Sequence, residues 1–301
     1  MKLAVNYSLK AADLLRRGEI TIDLFKCPAW PDLVDEISAE FPAYVHFPLK
    51  VGLGIDDALD TETKRPADWL KFEDLLKRTG TPLVNAHLWV DSRDFPDIPP
   101  DTTDPAHVEM ITANLIRDVE AMTRRFGPER VIVENVPDIY ERMIRPVMLP
   151  GVVNQVVDET GCGFLLDIAH ARLAAGSLGV DEREYISALP VDRLRELHVT
   201  GIRTVEGAWS ETLREAGFDA DLLDARAGQT MDHMPMTADD MAVFTWAMDN
   251  IHSGAWAAPW VATYEYGGVG VPWEQIADAH VLADHLPRMY DLVHLNGKDA
   301  A

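Results

Sequence analysis

Cysteine is nearly absent from this chain of 301 residues: Cys27 and Cys162 stand alone and form no CxxC pair. That excludes a disulfide framework and a thiolate zinc site. Basic residues are also scarce, 27 Lys and Arg against 50 Asp and Glu, for a formal net charge of −23. A protein that grips nucleic acid neutralises phosphates with a cationic surface, so nucleic acid is not an expected partner, and neither is an anionic membrane. No apolar run approaches the roughly 20 residues of a bilayer span. The amino terminus passes from Met1 directly into a strand-like segment without the apolar core of a secretory signal, so a cytoplasmic protein is the expectation. Fixed-period repeats, low-complexity tracts and linkers rich in Gly, Pro or Ser are missing too, and residues 1–301 read as one domain.

What is present is an alternation of strand-like and helix-like segments, the signature of an α/β architecture. Eight strand candidates run over Lys2–Tyr7, Thr21–Lys26, Ala43–Leu49, Pro82–Val90, Arg130–Val136, Gly163–Ala169, Leu194–Thr200 and Trp260–Tyr266. Helical spacing marks Trp69–Gly80, Pro105–Gly127 with Asp104 before it, Met241–Ile251 and Glu274–Leu286. Eight alternations predict a single (β/α)8 TIM barrel. Two connections, Val51–Pro66 and Ile202–Met231, are long for simple turns and follow strand carboxyl ends, so they are expected on the functional face as binding elements or lids.

Four of the apolar runs end on a side chain able to bind metal: Glu134, Asp167, His198 and Glu265. A parallel strand covered on both faces reads as continuous Val, Ile and Leu, so an ionisable group at its end is costly unless paired or coordinated. Barrel strands aim their carboxyl ends at one mouth. Two Glu, one Asp and one His suit a divalent ion such as Zn, Mn, Fe or Co. Further candidates surround them. Strand alternation places Tyr44 with His46 and Asn85 with His87 on single faces, His170 lies three residues beyond Asp167, and Asp232 and His233 end the second long connection. Lys10, Lys26, Lys50 and Arg203, and Trp30, Trp89 and Trp209, also follow strand candidates and are candidates for substrate contact or rim packing.

An ion held by the four ligands leaves coordination positions open, as catalytic sites require. A chelated hydroxycarbonyl substrate would be acidified at carbon, with Glu134 and Glu265 serving as base and acid from opposite walls. With two or three ions, the same mouth would activate water against a phosphodiester.

The ordered set Glu134, Asp167, His198, Glu265, with Asp-x-x-His at Asp167 and His170, resembles the xylose-isomerase-like TIM-barrel superfamily over roughly Ala43 to Gly268. In its epimerase branch the resemblance implies one divalent ion on the four ligands, proton transfer by the two glutamates, and substrate contact by His170. In its apurinic-endonuclease branch it implies three zincs. The four-residue set holds one, His46 and His87 sharing Glu134 hold a second, and His170 with Asp232 and His233 holds the third; here those last two are adjacent where that branch leaves a one-residue gap. The chain also resembles multinuclear-iron barrels that oxidise cysteine in peptides, through Glu134-Asn135-Val136 and Asp167-Ile168, although those usually carry Asn at the place of His170. The charge and His170 favour a metal-dependent isomerase or epimerase with one to three ions acting on a small sugar-like molecule, self-association being left open. A multinuclear phosphodiesterase and a peptide-directed iron oxygenase are the alternatives.

Overall fold

A computed structural model describes residues 1–137 and 142–294 of the chain. Its strands are β1 (Lys2–Asn6), β2 (Leu24–Pro28), β3 (Ala43–His46), β4 (Leu49–Val51), β5 (Leu59–Asp60), β6 (Arg65–Pro66), β7 (Val84–Leu88), β8 (Val131–Glu134), β9 (Gly163–Asp167), β10 (Leu194–Val199), β11 (Gly201–Thr204), β12 (Thr230–Met234) and β13 (Val261–Tyr264). The main sheet runs β3-β2-β1-β13-β10-β9-β8-β7-β4 and ends in the small antiparallel pairings of β5 and β6. All pairings from β3 round to β4 are parallel. Because β3 and β4 are consecutive halves of one stretch, the two ends of this order meet, and the sheet is a closed (β/α)8 barrel.

The third strand is split at Phe47 and Pro48, since proline has no N–H to give a ladder. Side chains close the gap between β3 and β7. Asn85 Oδ1 accepts from Phe47 N–H at 2.8 Å, Asn85 Nδ2 donates to Phe47 O at 3.0 Å, and Thr81 Oγ1 accepts from Val45 N–H at 3.0 Å. One primary amide thus reproduces both bonds of a strand pair. Asn135 does the same beyond the end of β8, donating to Asp167 O and accepting from Asp167 N–H, both at 2.9 Å.

The helices follow their punctuation. Asp104 accepts from Ala106 N–H ahead of the Pro105–Phe126 helix, and Gly80 caps Trp69–Thr79 in the left-handed conformation at φ 66°. Their apolar faces and the outer faces of the strands form one large core, in which Val131, Val133, Phe164 and Leu166 are fully buried. The single helix expected over Glu274–Leu286 is instead two, Trp273–Ile276 and Ala279–His294. Ala277 leaves helical geometry at ψ 125°, Tyr266 accepts from Asp278 N–H through its hydroxyl, and the Asp278 carboxylate accepts from His280 N–H to start the second helix.

Both long connections are ordered. The first forms the β5–β6 hairpin and is held to the Pro105–Phe126 helix by Asp118, whose buried carboxylate accepts from the N–H groups of Gly52, Gly54 and Asp56 at 2.9 Å each. The second makes the β11–β12 hairpin with helices Gly207–Glu215 and Ala220–Ala225 between its strands. It has its own core of Val205, Leu213, Phe218, Leu223, Met231 and Met234. Among the described residues no helix is long and apolar enough to cross a membrane.

Candidate metal centre

Strand alternation fills the barrel interior. Leu24 with Lys26, Tyr44 with His46, Asn85 with His87, Glu196 with His198, and Thr263 with Glu265 each share a face of one strand. At the carboxyl ends, overlapping groups of donor atoms lie within 4.8 Å of one another: His46, Glu134 and His198; Glu134, Asp167 and His170; Asp167, His198 and Glu265. All four principal candidates are buried. Glu134 ends β8 and Glu265 follows β13, three strands apart in the ring of eight, and both approach the same imidazole nitrogen between them, His198 Nδ1, at 3.9 and 3.1 Å.

The hydrogen bonds fix which ring nitrogens face this centre. His87 Nδ1 lies 3.0 Å from Leu49 O, His170 Nδ1 2.9 Å from Asn135 O, and His233 Nδ1 3.1 Å from Glu265 O. A carbonyl only accepts, so each Nδ1 carries a hydrogen and Nε2 is left as the atom that takes up a metal ion or a proton. His87 Nε2 then points at Glu134 Oε2, 3.1 Å away, and His170 Nε2 at Asp232 Oδ2, 3.2 Å away. In each pair one lone pair faces another, an arrangement that needs a cation or a proton between them. Glu134 Oε2, Asp167 Oδ2 and His198 Nδ1 are buried without a hydrogen bond. Uncompensated buried acceptors of this kind are costly, and imidazoles anchored through their other nitrogen are the usual supports of metal ligands. The donor set therefore fits a divalent ion. His46 is less committed, since its Nε2 accepts from Asn85 Nδ2 at 3.0 Å while lying 3.6 Å from Glu134 Oε2.

Asp232 and His233 would point to opposite faces of an ordinary strand. His233, however, has φ 58°, in the left-handed region that a residue with a Cβ seldom adopts. This turn lets both adjacent side chains line the same cavity, with strain of about 1–3 kcal/mol.

Burial pushes Glu134 up to about 8 and His87 down to about 3, and it takes His46 and His198 well below the ordinary imidazole range. For His170, burial acts downward, but Asp167, Asp232 and Glu134 together outweigh it and raise the imidazole to about 10. Asp232 is held below the usual carboxylate range: burial alone would raise it, and His233 and His170 overcome that.

Sequence reasoning missed the role of Glu196, although its spacing from His198 was a usable sign. It is buried behind that imidazole, 2.8 Å from His198 Nε2, and burial lifts its carboxyl to about 7. Of the cations proposed for the mouth, Lys26 reaches the centre, pairing with Glu265, and burial lowers its ammonium to about 8. Lys10 donates to Ala277 O, Lys50 pairs with Asp94 at 2.8 Å, and Arg203 lies over Trp209. Trp30 and Trp89 line the cavity, whereas Trp209 packs on the core of the insertion.

The cavity above the donors has a volume of about 1020 Å³, and Phe218, Leu222 and Met231 of the insertion form one wall. Fold and donor set together define a xylose-isomerase-like TIM barrel with a candidate metal centre at its mouth. Solved structures sharing this fold include a 3-keto-D-glucoside 4-epimerase from E. coli, at TM-score 0.54 and 14% identity, covering 96% of this chain and 99% of that one. A xylose isomerase domain containing protein from Salmonella typhimurium aligns at TM-score 0.53 and 12% identity over 97% of each chain. The chain belongs to the family described as RiPP precursor modification enzyme MbnB/TglH/ChrH, whose model matches residues 25–220. Curated relatives carry the name UPF0276 protein: one from Caulobacter vibrioides is 29% identical over 178 residues, 56% of this chain and 57% of the relative, and one from Acaryochloris marina is 24% identical over 172 residues, 56% and 58%. The matched part of the chain thus spans little more than half the length of these relatives.

Proposed function

We propose that this barrel is a multinuclear-metal enzyme that modifies a precursor peptide, with two or three ions, iron foremost, held between Glu134, Asp167, His198, Glu265, His87, His170, Asp232 and His233, and His46 at their edge. The reading is carried by overlapping donor groups in which Glu134 serves more than one, in a chain of the RiPP-modifying family. It ranks the peptide-directed alternative above the isomerase or epimerase that the sequence alone favoured. A cavity of about 1020 Å³ with Trp30, Trp89, Phe218 and Trp273 on its walls also suits a peptide segment better than a monosaccharide.

Bound iron would supply Lewis acidity and electron transfer to dioxygen there. The chain's own groups prepare the place. Glu134 sits centrally with its oxygens toward His87, His46, His170 and His198. Lys26 neutralises Glu265 from the cavity side and offers an ammonium to an anionic substrate group. Phe218, Leu222 and Met231 of the insertion give the cavity an apolar wall above the donors, and the hydrogen bonds at Nδ1 fix the orientations of His87, His170 and His233.

The test loads the protein with Fe(II) without oxygen, admits oxygen in the presence of cysteine-containing peptides, and follows peptide mass, beside solvent-deuterium exchange at carbon over a panel of ketoses. A metal- and oxygen-dependent mass change that disappears in Glu134→Ala is expected. Metal-dependent exchange on a ketose with no peptide mass change overturns the reading in favour of the isomerase.

A further inference from the structure

The barrel interior directly behind His198 is polar where an apolar layer would be ordinary. Glu196, two residues back on β10, lies on the same face and is 3% exposed. Its Oε1 is 2.8 Å from His198 Nε2 and accepts from the Tyr44 hydroxyl at 3.0 Å, while Oε2 accepts from Trp260 Nε1 at 3.1 Å. The Tyr44 hydroxyl also meets Thr263 Oγ1 at 2.7 Å. Three side chains, from β3, β10 and the residue preceding β13, therefore hold one carboxylate in a single orientation, and Thr263 of β13 braces the first of them. Desolvating a carboxylate here is expensive, and no part of it reaches the cavity, so binding substrate does not explain it.

We infer that Glu196 is a positioning residue, which fixes His198 as the Nε2–H tautomer and thereby presents the bare Nδ1 to the metal centre. The inference rests on the metal reading of the site, because its value lies in what Nδ1 ligates. Both oxygens of Glu196 already accept, Oε1 from the Tyr44 hydroxyl and Oε2 from Trp260 Nε1, so the carboxylate is held as an acceptor and the hydrogen of the short His198–Glu196 contact is placed on Nε2. Nδ1 then has no partner of its own, 3.1 Å from Glu265 Oε1 and within the groups formed with His46 and Glu134 and with Asp167 and Glu265. The carboxylate also makes the imidazole a stronger donor to a cation, and losing such a partner typically weakens metal binding about 10- to 100-fold. Tyr44, braced by Thr263, and Trp260 in turn hold Glu196 behind the imidazole, away from the face that Nδ1 presents.

Two measurements separate this from a purely structural role. Nitrogen-15 NMR of histidine-labelled metal-free protein should show His198 as the Nε2–H tautomer in the wild type, and a tautomer mixture in Glu196→Ala. Titration with Co(II), followed by its visible absorption, should show affinity about 10- to 100-fold weaker in Glu196→Ala, with most of the loss recovered in Glu196→Gln, whose carbonyl oxygen still accepts from Nε2–H. Tyr44→Phe, which keeps the His198 contact, should stay within about threefold of wild type. Should Glu196→Ala fail to fold, the isosteric Glu196→Leu takes its place in both measurements. Native Co(II) affinity and an unchanged His198 tautomer in a folded Glu196 variant overturn the proposal while leaving the metal site standing. A wild-type protein that binds no Co(II) overturns both.

Discussion

Glu134 is the residue on which most of the centre depends, since its two oxygens approach four imidazoles. Removing it leaves those imidazoles without their shared carboxylate, so Glu134→Ala should lose more than one ion per chain by elemental analysis of protein purified without chelator. A full complement of metal in that variant would refute the assignment. Its protonation gives a second expectation. With its folded pKa raised to about 8, metal-free protein keeps a proton on Glu134 that the unfolded chain has already released above about pH 4.5. The folded state then binds more protons than the unfolded one, and by linkage this group's contribution to stability declines as pH rises from about 4.5 to 8. Metal uptake near pH 7 should expel that proton, which calorimetry in buffers of different ionisation enthalpy would count. Several residues of the site were legible in the sequence because an ionisable side chain ending a Val/Ile/Leu run is conspicuous: Glu134, Asp167, His198 and Glu265 were found in this way. Asp232 and His233 were also named as candidates, but the backbone turn that lets two adjacent side chains line one cavity was not, because nothing in a non-glycine residue announces a positive φ.

At the level of elements, the asparagine amides replace missing ladder bonds. Asn85→Leu would strip partners from the N–H and C=O of Phe47 inside the barrel wall, at about 1–3 kcal/mol each, so a loss of about 2–6 kcal/mol is expected from urea denaturation. Asn135→Leu should behave alike at the β8–β9 end, and a change below 1 kcal/mol in both would show that water takes over these bonds. The eight strands and the Pro105–Phe126 helix were readable from apolar periodicity and from Asp104, Pro105 and Gly127. The split of the third strand was written in Pro48, yet its repair by Asn85 depends on a partner 38 residues away and on the closure of the ring. Locally periodic features can be read from a sequence; bonds made by tertiary approach cannot. The same limit applies to the second long connection, whose two helices acquire a core only when folded back against β11 and β12.

Across the whole molecule, 50 acidic residues against 27 basic ones make self-repulsion part of the stability balance. Screening shortens its reach to about 8 Å at physiological ionic strength. The urea midpoint should therefore rise between low salt and about 0.15 M NaCl, measured with a non-coordinating salt and chelator present so that site occupancy stays fixed. A midpoint that falls would mean that the ion pairs, such as Arg172 with Asp240 and Glu182, outweigh the net charge.

The join between β3 and β7 bears on the centre in a mechanical sense. A barrel is a hoop, and at the third strand this hoop is fastened by only a short β4–β7 ladder and by side chains across β3, with His46 ending the strand on one side of the fastening and His87 near the end of the strand on the other, both turned to Glu134. An ion gripped by those three residues would be a rivet across the joint, sharing with the short β4–β7 ladder the tension that longer ladders carry elsewhere around the ring.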